Sequence, residues 1–376
     1  MINTSLAARD TAVAFHSRTD SGAVCSDELW IEWLDLADRV GRHVAARPEY
    51  SVGSLRLRRA PRTLIVTVHR RGRLVALAPF VVRRYGPVRV ARLMGDGLGM
   101  VGEILAEDIP AADALWTALA EQRIGLHLDE MDERDLALCR MVDSPRWMST
   151  TQPGRPVLFV DVPKQGPGAV GLRSRGSRRR LRSTRRDYDE AGTPLTVDFV
   201  STSDELDEKW AEMSTLSAIG VDGHDRTDDL APPVGNLVQA VLRREALAGR
   251  LLVTTLTVGR KAVAQLFMVR SANTAEGWLT HFDPAFSDAQ PGHQMMESLV
   301  DRAREVGIER IDLGVGANGF KQAWTNGQYQ SITVSALPTD VHGARHLVPL
   351  VRRFEALSLR GLARNVRGAV RSLLRR

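Results

Sequence analysis

Apolar residues recur at helical spacing in several stretches of the chain, with short β-branched runs between them. Ser26–Val40 puts Trp30, Trp33, Leu34 and Ala37 on one face, with Ser26 available as N-cap. Ile109–Arg123 predicts a helix with Pro110 in its first turn. Leu206, Trp210, Met213 and Leu216 predict another, headed by Thr202 and Glu205 at capping-box spacing. A further helix opens at Pro232-Pro233 and closes at Gly249, and Met295, Met296, Leu299, Val300, Ala303 and Val306 face inward on one ended by Gly307. Strands are read in "PLTVDFV", "AEGWLTHFD", "IERIDLG" and "SITVSAL", and in two hairpins, the first turning at Arg71-Gly72. Pro79 lacks a backbone donor, which predicts an edge strand or a bulge there. "QPGRP" (152–156) and "PKQGPG" (163–168) flank a short strand and mark a junction.

The second half therefore reads β-α-α-β-β-β-α-β-α-β, and the first half repeats helix, antiparallel hairpin, further strand and helix. The two hairpins align without a gap. Leu64–Arg83 and Leu251–Arg270 share eight of twenty columns. Shared element order makes one unit used twice the better reading, and the fold class is α/β.

Composition narrows the class. With 376 residues, 43% hydrophobic and 26% charged, the chain is a globular protein of two to three domains. The longest apolar run, Leu74–Val82, is half of what a membrane span needs, about 18–20 residues. "MINTSLAARD" has no signal-peptide character, and Cys25 and Cys139 make neither a disulfide framework nor a metal site. The expected location is cytoplasmic, with possible attachment at the inner membrane face. Net charge is +6, and arginines cluster at Arg173–Arg186 and after Val351, which points to anionic partners. The C-terminal cluster puts Leu362, Val366, Val370 and Leu373 on one helical face and Arg364, Arg367 and Arg371 on another. That suits an anionic membrane surface or packing onto the protein body.

His281–Trp324 carries Asp-Pro, a Pro-Gly opening a long helix, a Gly-Ile-x-x-Ile-Asp strand, then glycine and an aromatic-Lys-x-x-Trp. This stretch resembles the CelD-type acetyltransferases, a branch of the GNAT superfamily tied to exopolysaccharide and cell-envelope genes. The arginine helix and "GRLVALAPF" are similar to that family as well, so the resemblance runs from about Trp30 to Pro338. It implies two GNAT-like domains with mixed, mostly antiparallel sheets flanked by helices, as in Fem-type transferases. The expected boundaries are 1–160 for a domain without a cofactor loop, 161–345 for the acyltransferase domain and 346–376 for a basic amphipathic tail. It also implies an acyl-CoA donor such as acetyl-CoA, no metal, and a saccharide or amine acceptor. An aminoacyl-tRNA-dependent transferase and a non-catalytic fold binding an anionic partner are the alternatives. Arg178, Arg182 and Arg185 lack interleaved aromatics for base stacking, which argues against nucleic acid, and the resemblance implies a helix covering the acceptor cleft.

The residues support a phosphate site on their own. In "DAQPGHQ", Gln290 and Pro291 lead into a helix whose Gly292, His293, Gln294 and Met295 N–H groups would face an anion. Gly97-x-Gly99-x-x-Gly102 reads as a loop. Gly314-x-Gly316-x-x-Gly319 resembles a dinucleotide fingerprint, but the helix after it is too short for a crossover. Acyl transfer needs a base near the thioester and a donor for the oxyanion. His281 and Asp283 share one strand face beside the loop, as a base or as a structural pair. Asp312, on an apolar strand, is buried with a partner or lies in the cleft. Lys321 suits a phosphate, an acidic acceptor or solvent. His224, Arg226, Arg178 and Trp324 are the candidate substrate contacts.

Overall fold

The computed structural model describes residues 11–18, 25–57, 62–85, 88–164, 172–221 and 228–340. The first half contains β1 (Thr11–Arg18), α1 (Asp27–Val40), α2 (Pro48–Gly53), β2 (Arg62–Arg70), β3 (Arg73–Tyr85), β4 (Val88–Leu93), β5 (Leu105–Ala106), α3 (Ile109–Glu121), β6 (Ile124–Asp132), α4 (Leu136–Val142) and β7 (Trp147–Asp161). The second contains α5 (Arg175–Glu190), β8 (Leu195–Val200), α6 (Ser203–Ile219), α7 (Val234–Leu247), β9 (Leu251–Val258), β10 (Lys261–Ser271), β11 (Thr274–Phe282), α8 (Pro291–Glu305), β12 (Arg310–Val315), α9 (Gly319–Trp324) and β13 (Gly327–Pro338). From β8 onward this is the order read from the sequence.

The strands form one sheet in the order β1-β2-β3-β4-β6-β13-β7-β12-β11-β10-β9-β8, with β5 paired to β3. Read from either end the order is the same. The hairpins β2–β3 and β9–β10 occupy equivalent places, and the parallel pair β4–β6 matches the parallel pair β11–β12. The last strand of each half crosses the centre: β7 pairs with β12, β13 with β6, and the two with each other. Each half is thus completed by a strand from the other.

Local chemistry explains the element ends. Ser26 accepts a hydrogen bond from Leu29 N at 3.2 Å, and Thr202 and Glu205 form the expected capping box. The buried face of α1 is Leu29, Trp33, Leu36 and Ala37, rotated slightly from the predicted one, so Trp30 and Leu34 are only half-buried. Two sequence readings are corrected. Pro79 sits in an interior strand, between the stretch of β3 that pairs with β5 and the stretch that pairs with β4. Its missing donor falls in that gap. "QPGRP" lies inside β7 rather than at a junction: Pro153 and Pro156 pair with β13, while β12 covers only Val157–Asp161 on the other side. The open side tolerates the prolines.

Alternation along the strands sends side chains to two layers. Leu64, Val66 and Val68 pack with α3, whereas Ile65 joins the cluster under α1. In the second half, Phe267 and Val269 join α6 and α7, and Met268 joins α8. Tyr50 and Val44 from the first half share a cluster with Leu237 and Val241 of α7, which binds the halves together. No helix among the described residues is long and apolar enough to cross a membrane. The predicted basic tail (346–376) lies outside the described residues.

Candidate active site

β11 and β12 run parallel but pair only at Thr274–Arg310, Ala275–Ile311 and Glu276–Asp312. Gly314 (φ 74) and Gly316 (φ 86) then take left-handed conformations that glycine adopts without penalty, and β12 leaves the ladder. On the other side of β11, Phe267 pairs with Leu279 and Met268 with Gly277, so Trp278 is an extra residue in a bulge. The fork opens into a cavity of about 590 Å³, walled by Met268, Gly277–Thr280, Asp312 and Leu313, the start of α8, and Phe320 and Lys321. Its lining is mainly apolar, as expected of a small-molecule site. Arg180, from α5, lines it too.

The chain enters α8 through Gln290, whose φ of 53 is unusual for a residue with a Cβ and marks a forced turn. A Cβ on Gly292 would meet the Phe320 ring at 3.1 Å, so glycine is the residue that fits between helix and ring. The expected set of four free donors is corrected. The His293 and Gln294 N–H groups donate to Gln290 O at 2.9 and 3.1 Å, and Met295 N–H lies within the helical ladder. Gly292 N–H is the donor left at the helix start. Gln290 and Gln294 instead hold α5. Gln290 Nε2 donates to Thr184 Oγ1 at 3.1 Å, Gln294 Nε2 donates to Leu181 O at 3.1 Å, and Gln294 Oε1 accepts from Arg185 at 2.8 Å. His293 lines the cavity and accepts from Trp324 Nε1 at its Nδ1, 2.8 Å away, which leaves the proton on Nε2. Burial and nearby Arg173 lower its pKa, which favours the neutral ring.

Asp312 is the acidic side chain of the cavity wall. Its Oδ1 accepts from Gly314 N at 2.7 Å and its Oδ2 from the Tyr329 hydroxyl at 2.8 Å. Burial, and then the charge of Glu276, raise its pKa. Behind it runs a ring of polar groups drawn from both halves, exposed at Arg134 and otherwise buried. Arg134 stacks 3.8 Å over the Tyr329 ring and donates to Asp132 Oδ1 and Oδ2, both at 2.9 Å. His43 Nε2 lies 3.2 Å from Asp132 Oδ2, and His43 Nδ1 lies 3.0 Å from Glu276 Oε1. Val44 N also donates to Glu276 Oε2, at 2.8 Å, and Glu276 adjoins Asp312 in the ladder. Burial disfavours a charged His43, yet Glu276 and the bonds to Asp132 and Glu276 raise its pKa well above the ordinary value. The two flanking carboxylates favour the charged form of the ring.

The other predicted residues are spread more widely. Lys321 lines the cavity and donates to Gly314 O at 3.1 Å and Val315 O at 2.9 Å; burial lowers its pKa to about 8. His281 is not part of the cavity wall: its Nδ1 meets Gln265 Nε2 at 3.0 Å and its ring edge meets Phe267, on the α6 side. Asp283 caps the turn before α8 and is paired with Lys261 at 2.7 Å, a bond that lowers its pKa. Trp324 is fully buried against α8. Arg178 lies on α5 away from the cavity wall, which Arg180 reaches instead. His224 and Arg226 lie outside the described residues. Sequence reasoning missed Arg180, Tyr329, His43, Asp132 and Glu276. The one local signal was a carboxylate within an apolar strand pattern, at Glu276 and Asp132.

Residues 175–322 match the family model described as an acetyltransferase (GNAT) domain. No curated protein matches the chain in sequence. Among solved structures, FemX is similar with a TM-score of 0.58 at 10% identity, over 81% of this chain and 95% of that one. The C-terminal domain of a protein described as a lysylphosphatidylglycerol synthetase, from Agrobacterium fabrum, gives 0.53 at 14% identity, over 85% and 94%. A conserved protein of unknown function from Bacteroides thetaiotaomicron gives 0.51 at 13% identity, over 82% and 97%. The fork between β11 and β12, the bulge at Trp278 and the glycine-opened α8 thus all fall within the region that matches the acetyltransferase (GNAT) domain model, inside a doubled, mixed α/β sheet.

Proposed function

We propose that the protein is an acyl-CoA-dependent acyltransferase that moves an acyl group, such as acetyl, to an amine or hydroxyl of an envelope saccharide or its precursor. One observation carries the reading: an apolar cavity in the β11–β12 fork runs to the start of α8, where Gly292 N–H and Arg180 border it. A thioester has this shape of demand, with an apolar arm, a carbonyl and a pyrophosphate. In the proposed complex the pyrophosphate meets Gly292 N–H and Arg180, with the α8 dipole behind them. His293 Nε2–H and Lys321 add positive character along the wall. The β11 backbone beyond Glu276 lacks a β12 partner, and around Trp278 it offers N–H groups to the thioester oxygen.

Asp312 is the proposed base. The acceptor's nitrogen or oxygen attacks the thioester carbonyl carbon, and its proton passes to Asp312. The carbon–sulfur bond breaks, and the thiolate takes up that proton as CoA leaves. A carboxylate whose pKa is raised by burial is a stronger proton acceptor than an exposed one. Tyr329 and the ring behind it orient the group. The saccharide acceptor rests on the likeness of His281–Trp324 to the CelD-type pattern.

The test is calorimetry against a panel of acyl-CoAs, followed by thiol release with amino sugars and hydroxylated saccharides as acceptors. Binding of one acyl-CoA per chain and acceptor-dependent thiol release are expected. Binding of none, with acyl transfer from aminoacyl-tRNA instead, would favour the alternative donor and remove CoA from the reading.

A further inference from the structure

The acyl-transfer reading uses one arginine of α5 and leaves the rest. Arg175, Arg179, Arg182 and Arg186 follow one another at steps of four, three and four, which places them on a single stripe. All four are exposed. Among the described residues only Arg186 has a carboxylate near it, Glu190 at 3.7 Å, itself exposed. The opposite side of the helix is fixed to the body. Leu181 is buried, Thr184 and Arg185 bond to Gln290 and Gln294, and the Tyr188 hydroxyl donates to Asp288 at 3.1 Å. The stripe is therefore a rigid surface feature rather than a loose arm.

Its placement is electrostatically unfavourable without a partner. Arg175, Arg178, Arg179 and Arg180 all lie in the first two turns, where the macrodipole favours anions, and the first turn holds no acidic residue. The stripe points away from α8, so the phosphates of a donor lying along the cavity do not reach it. Arg180, on the flank, joins the stripe to the cavity.

We propose that this face of α5 docks the protein on an anionic lipid surface. Geometry favours a membrane over RNA. An arginine-rich helix that grips an RNA groove meets phosphates on several sides, whereas the back of α5 is occupied by α8 and a single line of cations remains. The one aromatic of the helix, Tyr188, is engaged with Asp288 and is not free for base stacking. The stripe spans about 16 Å, and a straight convex row of cations fits tangentially on a plane of headgroups. This proposal is independent of which acyl group or acceptor is used.

The test uses the full chain with vesicles of phosphatidylglycerol and phosphatidylcholine, and vesicles of phosphatidylcholine alone. The protein should co-sediment with the anionic vesicles only, and should dissociate as salt screens the charges. Each arginine near such a surface is worth about fivefold in partition, so the variant R175Q/R179Q/R182Q/R186Q should lose binding by about six-hundredfold. An unchanged melting temperature and acyl-CoA affinity establish that the variant is folded. Equal vesicle binding by the variant overturns the proposal, because attachment then belongs to another part of the chain. So does a wild-type protein indifferent to lipid charge, or one that duplex RNA strips from the vesicles through the same four arginines.

Discussion

His43 Nδ1 lies 3.0 Å from Glu276 Oε1, across 233 residues of sequence and between the two halves of the sheet. Both side chains are buried, so the pair is shielded from solvent. Removing one member leaves an uncompensated charge. His43→Ala should therefore cost about 3–5 kcal/mol in chemical denaturation.

The pH dependence of that loss has a definite sign. The folded pKa of His43 is raised above the ordinary 6.5, so its contribution is complete below about pH 6.5 and fades as pH rises through the folded value. The stability gap between wild type and His43→Gln should be widest in mild acid and narrow towards alkaline pH. A gap that widens with pH would mean the imidazole is neutral in the fold.

Asp312→Asn keeps an acceptor for Gly314 N but removes the proposed base. Turnover should fall by about 10²–10⁴ while acyl-CoA affinity, measured by calorimetry, stays within a few-fold. Tyr329→Phe, which removes only the hydroxyl bond to Asp312, should cost less and shift the acid limb of the rate profile. Wild-type turnover in the Asp312 variant would move the base elsewhere.

Gly292→Pro removes the free donor at the start of α8 and pushes on Phe320. Acyl-CoA affinity should drop by about tenfold or more. Gly292→Ala, which keeps the donor and adds only the methyl, separates the steric part of the loss.

His281 and Asp283 are held outside the cavity wall, by Gln265 and Lys261. Asp283→Ala should cost about 1 kcal/mol, as a lost cap does, and leave turnover within a few-fold. A collapse of turnover at unchanged acyl-CoA affinity would return these two residues to the chemistry.

Lys321, with a pKa lowered to about 8, carries its charge below that pH. Affinity for the polyanionic donor should weaken as pH rises through 8, and Lys321→Met should flatten that dependence. An identical pH profile in the variant would exclude the lysine from donor binding.

The sequence by itself determined the element order from β8 onward, the caps at Ser26 and Thr202, the inward face of α8 and the repeat of the hairpin. These depend on neighbours within a few residues, where periodicity and turn chemistry are strong. It also placed the Pro-Gly helix start and Asp312 among the residues of interest. Tertiary structure alone decided that β7 and β13 trade places and that Arg180 rather than Arg178 reaches the cavity. It alone brought His43, Asp132, Glu276 and Tyr329 together behind Asp312. Strand order and the partners of a buried charge are long-range choices. They are set by which faces must be covered and which ions neutralised, and no local spacing records them.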